Sequence, residues 1–206
     1  MVKVKICGLM NVEDALAAVQ AGADALGFVF TAGRHQVTPE QARAIIAVLP
    51  PFVNIVGVFV NEDAAVVNRV ADFCRLDTLQ FQGDESPEYC AGFARRVIKG
   101  FKVKDQAALA RLKSYDVAAY LLDSYVPGQS GGTGRAFDWE LVRGLAVSRP
   151  IILAGGLTPA NVANAIAIVQ PFAVDVSSGV ENEAGRKDAQ KMIEFVRQAK
   201  TRVANP

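Results

Sequence analysis

The feature that most constrains this chain is an alternation that repeats eight times: a short apolar run, then a longer stretch with apolar residues at helical spacing. VKVKI is followed by residues 11–22, where Val12, Ala15, Leu16 and Val19 share one helical face, Asn11 is placed to cap the start and Gly22 to stop the end. The pattern then recurs. ALGFVF precedes PEQARAIIAVL, VNIVGVFV precedes EDAAVVNRVADFC, DTLQF precedes SPEYCAGFARR, and VIKGFKV precedes DQAALARLKS. VAAYLL is followed, after a Gly-rich loop, by FDWELVRGLA; IILA precedes PANVANAIAIV, and FAVDV precedes a last helix over about residues 187–200. Most of the strand-like runs are continuously apolar instead of alternating, as a parallel sheet covered on its outer face requires. Eight such units predict an α/β fold of one architecture, a closed (βα)8 TIM barrel ringed by helices, toward the short end of the length range for that fold. The competing arrangement is an open doubly wound sheet, but the chain has no early GxGxxG fingerprint for one.

No low-complexity segment or linker divides the 206 residues, so residues 1–206 are expected to form a single barrel domain. Charges of both signs are interleaved to a net +1, which recommends neither nucleic acid nor an anionic membrane as partner and leaves room for a small anionic ligand. The three cysteines, Cys7, Cys74 and Cys90, include no CxxC pair, and the N-terminus reads as a charged strand. No apolar run approaches the ~20 residues that span a bilayer. These features predict a cytoplasmic protein in a reducing compartment. The single histidine, His35, argues against a histidine-rich metal site and against a Ser-His-Asp triad, and no metal is expected.

In such barrels chemistry sits where the strands end, on the face built by the strand-to-helix loops. That rim carries Cys7 after the first strand, Arg34 and His35 after the second, Asn61 after the third and Gln82-Gly83-Asp84 after the fourth. Asp123 follows the sixth, Gly155-Gly156 the seventh and Ser177-Ser178-Gly179 the eighth. AGGLTPANV places two glycines before a helix whose first turn is expected to contain Pro159, and VDVSSGVE adds a second turn of small residues. Backbone N–H groups brought together there would favour a phosphate, a frequent guest of the loops after strands seven and eight. Each ionisable candidate has a plainer alternative. Cys7 is either a base, which needs an electropositive setting because free cysteine titrates near ~8.5, or a packing residue. Asp123 beside apolar YLL suits a general acid with a raised pKa, or else bonds the following loop. Asp175 in FAVDV either points at the site or is a satisfied core acid, and Arg34 either pairs with a carboxylate or is merely solvated. Cys74 and Cys90, within helical patterns, are expected to pack.

These residues lie in motifs that match a known family. KICG at 5–8, VEDALAAVQAGADALGFVF at 12–30, VGVFVN at 56–61, LLD at 121–123, GGTGRAFDW at 131–139, LAGGLTPANV at 153–162 and DVSSGVE at 175–181 resemble phosphoribosylanthranilate isomerase. The matches run nearly end to end and in order. The resemblance implies a phosphate-binding barrel of tryptophan biosynthesis that rearranges N-(5-phosphoribosyl)anthranilate without a cofactor. It further implies Asp123 as the acid that opens the sugar ring and Cys7 as the base that takes the C2 proton. The phosphate would be held by Gly155, Gly156, Ser177, Ser178 and Gly179, and Gly131, Gly132, Thr133 and Gly134 would form a cover over the site. Asp175 and Gln82 would bind substrate, and the partner is a small phosphorylated molecule, with the chain a monomer or a homodimer. Two departures stand out. The family's carboxylate-binding arginine is followed after one residue by Val-Ser/Thr-Pro-Glu, whereas this chain reads Arg34-His35-Gln36-Val37-Thr38-Pro39-Glu40; Arg34 is preferred to His35 because its charge is fixed. After strand four the usual histidine is replaced by Gln82. A histidine-pathway isomerase would be expected to carry an aspartate where Cys7 stands, and a non-catalytic phosphate binder would not need both Cys7 and Asp123.

Overall fold

The computed structural model describes residues 1–124, 138–183 and 186–201. Eight parallel strands close on themselves in sequence order: β1 (Lys3–Cys7), β2 (Ala25–Val29), β3 (Asn54–Phe59), β4 (Thr78–Phe81), β5 (Arg96–Val103), β6 (Ala119–Ser124), β7 (Ile151–Leu153) and β8 (Ala173–Val176). Closure is made by β8 against β1, where Lys5 pairs in register with Asp175. The TIM barrel expected from the eightfold alternation is therefore the observed fold.

The outer ring is uneven. Helices α1 (Val12–Gln20), α2 (Pro39–Ile46) and α3 (Ala64–Cys74) follow the first three strands at ordinary length. Asn11 caps α1, its Oδ1 accepting from Asp14 N at 2.8 Å, and Gly22 follows the helix with φ 93°, as the sequence predicts. Next come α4 (Pro87–Ala91) and α5 (Gln106–Ala110), only five residues each, the latter continued by a 3-10 turn over Arg111–Ser114. After β6 the stretch expected to be helical is a 3-10 turn, Trp139–Val142, and Gly144 at φ 64° leaves helical space soon after it. Helices α6 (Val162–Val169) and α7 (Ala189–Lys200) complete the ring. Pro159 is not in the first turn of α6; it lies in a preceding turn in which Asn161 Oδ1 accepts from Thr158 N at 2.8 Å.

Successive side chains on a strand face opposite ways, so each strand serves two cores. The larger core lies between barrel and helices and includes Ile6, Leu26, Phe28, Leu79, Phe81, Leu122, Val174, Met192 and Phe195, with Cys74 and Cys90 packed among them. A smaller one, made of Ile98, Ala119, Leu121, Ile152, Ala154 and Ala173, fills the barrel. Alternation carries this inner face up β5 to Lys102, up β6 to Asp123 and up β8 to Asp175, which is how polar groups reach the mouth. Between α4 and the barrel, Lys99 donates to the carbonyls of Gly83 at 2.7 Å and Gly100 at 2.9 Å, and stands 3.2 Å from Glu85 Oε2. Among the described residues no helix is long and apolar enough to cross a membrane.

Candidate active site

Cys7 is the last residue of β1, and its thiol points into the mouth of the barrel over Gly27 of β2. A Cβ on Gly27 would lie 2.6 Å from Cys7 Sγ and 3.1 Å from Lys5 Cε, so only glycine leaves room for both side chains. Lys5 stands two residues earlier on the same face, its Nζ 2.9 Å from Asp175 Oδ1, with both side chains buried. Burial pushes the Cys7 thiol above its ordinary range, against the opposing pull of Lys5. For Lys5 itself burial disfavours the charge, but Asp175 and Cys7 more than offset it and the pKa is raised.

Asp123 sits across the mouth on β6, in register with Lys102 of β5. Burial, with the Asp175 carboxylate second, pushes its carboxyl up to about 6. Asp175 thus acts electrostatically on both Cys7 and Asp123, which lie on one end of the barrel within range of a single carboxylate. Gln82 Nε2 donates to Asp123 Oδ2 at 3.4 Å, and Gln82 Oε1 accepts from Gln80 Nε2 at 3.1 Å. A cavity of about 280 Å³ opens on this side, lined by Gln82, Asn61, Lys102 and Arg111 among others. Asn61 has a mainly structural place there: its Oδ1 accepts from Asp84 N at 2.7 Å, and its own N–H donates to Glu85.

The two loops of small residues meet. A Cβ on Gly179 would collide with the Leu157 carbonyl oxygen, so the turn after β8 lies directly on the turn after β7. Gly155 and Gly156 both have left-handed backbone, φ 83° and 66°, which explains the paired glycines. Gly155 also has no room for a side chain, since a Cβ would lie 2.6 Å from Asp123 Oδ1. The turn after β8 is a short 3-10 segment, Ser178–Val180.

The sequence pattern of N-(5'-phosphoribosyl)anthranilate (PRA) isomerase matches residues 4–198. This chain belongs to the PRA isomerase family. It is 57% identical over 202 residues to the N-(5'-phosphoribosyl)anthranilate isomerase of Geobacter sulfurreducens, covering 97% of this chain and 99% of that one. The crystal structure of the Thermotoga maritima isomerase superposes with a TM-score of 0.90 at 42% identity, covering 97% of this chain and 99% of that one. An isomerase crystallised with reduced 1-(o-carboxyphenylamino)-1-deoxyribulose 5-phosphate is also 42% identical, with a TM-score of 0.86 over 97% of this chain and 99% of its own.

Against this PRA isomerase background, the rim after β2 has an arrangement the sequence did not foretell. Glu181, just past the turn after β8, takes Arg34 Nη2 on Oε2 at 2.7 Å and both His35 Nε2, at 2.9 Å, and Lys187 Nζ, at 2.7 Å, on Oε1. Burial opposes that charge, but the hydrogen bonds from His35 and Lys187 hold the carboxyl down at about 2. Lys187, from a two-stranded hairpin of Glu181–Glu183 and Arg186–Lys187, also donates to the Ser177 carbonyl at 3.2 Å. Arg34 is the more exposed of the rim pair, at 44% against 14% for His35, whose ring packs where a Cβ on Gly8 would sit. Lys5 and Glu181 sit in the KICG and DVSSGVE motifs beside more conspicuous residues, and Lys187 lies in no motif. The available signal was a charged residue on each of the first and last strands, Lys5 in VKVKI and Asp175 in FAVDV. Gly131, Gly132, Thr133 and Gly134 lie outside the described residues.

Proposed function

We propose that this chain converts N-(5-phosphoribosyl)anthranilate to 1-(2-carboxyphenylamino)-1-deoxyribulose 5-phosphate, a step of tryptophan biosynthesis, with Asp123 as acid and Cys7 as base and no cofactor. The observation that carries the reading is electrostatic: at one barrel mouth, in a member of this family, a half-buried carboxyl has been pushed up to about 6, so a useful fraction is protonated near neutral pH.

In this mechanism the anilino nitrogen pushes out the C1–O bond of the ring while Asp123 gives its proton to the departing ring oxygen, leaving an open-chain iminium. The Cys7 thiolate takes the C2 proton. The C2–H electron pair becomes the C1=C2 bond, the iminium pair returns to nitrogen, and an enolamine results. Ketonisation adds one proton at C1 and removes one from the C2 oxygen; if the thiol supplies the first and the carboxylate accepts the second, both groups return to their starting states. No redox or metal step enters this sequence.

Gly155, Gly156, Ser177, Ser178 and Gly179 are proposed to hold the phosphate through backbone N–H groups. The close approach of the two turns and the left-handed glycines favour that reading. Arg34 is assigned to the anthranilate carboxylate: one of its nitrogens rests on Glu181, and a guanidinium has further N–H donors to offer at an exposed rim, whereas the His35 ring is packed and committed to Glu181. Asp175 and Gln82 are assigned to the sugar end, beside base and acid respectively. The proposed setting is cytoplasmic, with the chain a monomer or a homodimer.

The test is turnover of phosphoribosylanthranilate, coupled to indoleglycerol phosphate formation, by the wild-type chain, Cys7→Ser and Asp123→Asn. Each substitution is expected to lower kcat by about 10² to 10⁴. Turnover that survives both would reject the assignment of acid and base.

A further inference from the structure

The barrel interior contains one charged pair deep enough to need explaining. Lys5 and Asp175 face each other in register across the β1–β8 seam, with side chains 4% and 10% exposed, in a barrel otherwise filled by Ile98, Leu121 and Ile152. A buried pair of this kind is a weak source of stability, because desolvating two charges offsets most of their attraction and apolar residues of similar volume do as well. Its position is more informative. Strand alternation puts Lys5 and Cys7 on one face, and Gly27 of the neighbouring strand provides the shared floor on which Lys5 Cε and Cys7 Sγ both rest. An ammonium has three donors. Lys5 gives one to Asp175 at 2.9 Å, which leaves two for the side where its Cε and the Cys7 sulfur stand over the same glycine.

We propose that Lys5, clamped by Asp175, is the positioning residue of Cys7: its ammonium, fixed on the barrel floor, lowers the cost of ionising a thiol that burial would otherwise keep neutral, so that the sulfur can receive the substrate proton. The inference rests on the reading of Cys7 as the base and goes beyond it by naming the group that makes a buried thiol usable. Asp175 has a double part. It keeps Lys5 charged in a dry site, and its own charge opposes ionisation of both Cys7 and Asp123. The other ionisable groups near this thiol are Lys187 from the strand pair after β8, which acts on it electrostatically, and His35, which packs against the adjoining Gly8. Lys5 is the one that shares with the sulfur both a strand face and the floor made by Gly27. Lys5 ends the reaction as the ammonium it began as, and of Lys5 and Cys7 only the sulfur gains and loses a proton.

The test reads the thiol directly, without substrate. The rate of Cys7 alkylation by iodoacetamide is followed against pH by peptide mass spectrometry, which separates Cys7 from Cys74 and Cys90. Lys5→Met is expected to move the alkylation profile upward by about 1 to 3 pH units and slow the reaction at neutral pH at least about tenfold. Lys5→Arg should restore most of the shift. In turnover, Lys5→Met should lower kcat with KM little changed.

An alkylation profile left in place by Lys5→Met overturns the proposal, whatever happens to activity. Should Lys5→Met fail to fold by circular dichroism, Lys5→Gln is read in its place, and an unchanged profile there overturns the proposal too. Failure here leaves the acid and base assignments intact, since those are judged by turnover of Cys7→Ser and Asp123→Asn. Failure of those assignments would equally leave the alkylation result standing as chemistry of the thiol.

Discussion

At the scale of single residues, the two proposed reacting groups are held in environments that resist their own ionisation, and that has a consequence for stability. Burial and Asp175 raise the Asp123 carboxyl to about 6, above its ordinary value of 3.8. A carboxyl whose folded pKa exceeds its unfolded one makes the fold less stable as pH rises from the lower value through the higher. Asp123→Asn is therefore expected to stabilise the fold above about pH 6, by roughly 1 to 3 kcal/mol, and to change little near pH 3.5. Melting curves at the two pH values check this, and a lower melting temperature for the variant at neutral pH would contradict it. The same residue would then be the site of a trade between activity and stability. Asp123 was visible in the sequence because a carboxylate directly after Leu121-Leu122 is conspicuous; that its charge is opposed chiefly by burial, and next by Asp175, required both strands to be placed around one mouth. Gln82 shows the complement. As a substitution for a usual histidine it was legible, but its hydrogen bond to Asp123 was not, because the two are 41 residues apart.

At the scale of elements, the short helices α4 and α5 are supported by something other than their own length. Five-residue helices have almost no intrinsic stability, and the loop from β4 into α4 is pinned instead by Lys99 and Glu85. Lys99 meets the Gly83 and Gly100 carbonyls; Glu85 Oε1 accepts from Asn61 N at 2.8 Å and Gly83 N at 3.2 Å. With both side chains 3% exposed or less, Lys99→Met would leave a buried carboxylate unpaired and three carbonyls short of a donor. The expected loss is about 3 to 5 kcal/mol, with a smaller loss when Glu85→Gln is added to the same chain. Denaturant melts of the single and double variants measure both, and equal losses would show that the pair is not coupled. Helical periodicity in SPEYCAGFARR and FDWELVRGLA suggested longer helices than those observed. Local pattern reports which face of a segment is apolar, while the number of turns formed depends on how much covered barrel surface that segment receives, and a glycine such as Gly144 in left-handed space ends the turn early.

For the whole molecule, closure joins the first strand to the last, so the ends of the chain depend on each other. Asp24 makes that dependence explicit: it takes Lys3 Nζ at 2.9 Å, Lys200 Nζ at 2.8 Å and Val4 N at 3.0 Å, tying the start of β1 and the end of α7 to the loop before β2. Burial opposes its charge, but the hydrogen bonds from Lys200 and Lys3 hold the carboxyl below its ordinary value. A depressed carboxyl contributes stability that is present above the unfolded pKa and is lost as pH falls through the folded one. Asp24→Asn is expected to lower the melting temperature at neutral pH, with the gap from wild type closing in acid and both chains melting in one cooperative transition as a single domain; a constant gap across pH would sink the electrostatic account. What the sequence determined by itself was everything carried by short-range pattern: eight strand-helix units, a parallel barrel, a rim bearing Cys7 and Asp123, and the Gly155-Gly156 pair in the turn after β7. Tertiary structure alone decided which charges meet. Lys5 finds Asp175 across 170 residues, and Glu181 gathers Arg34, His35 and Lys187 from separate segments, because hydrophobic periodicity acts over a few residues, whereas a salt bridge is selected only after closure has fixed which strand ends are neighbours.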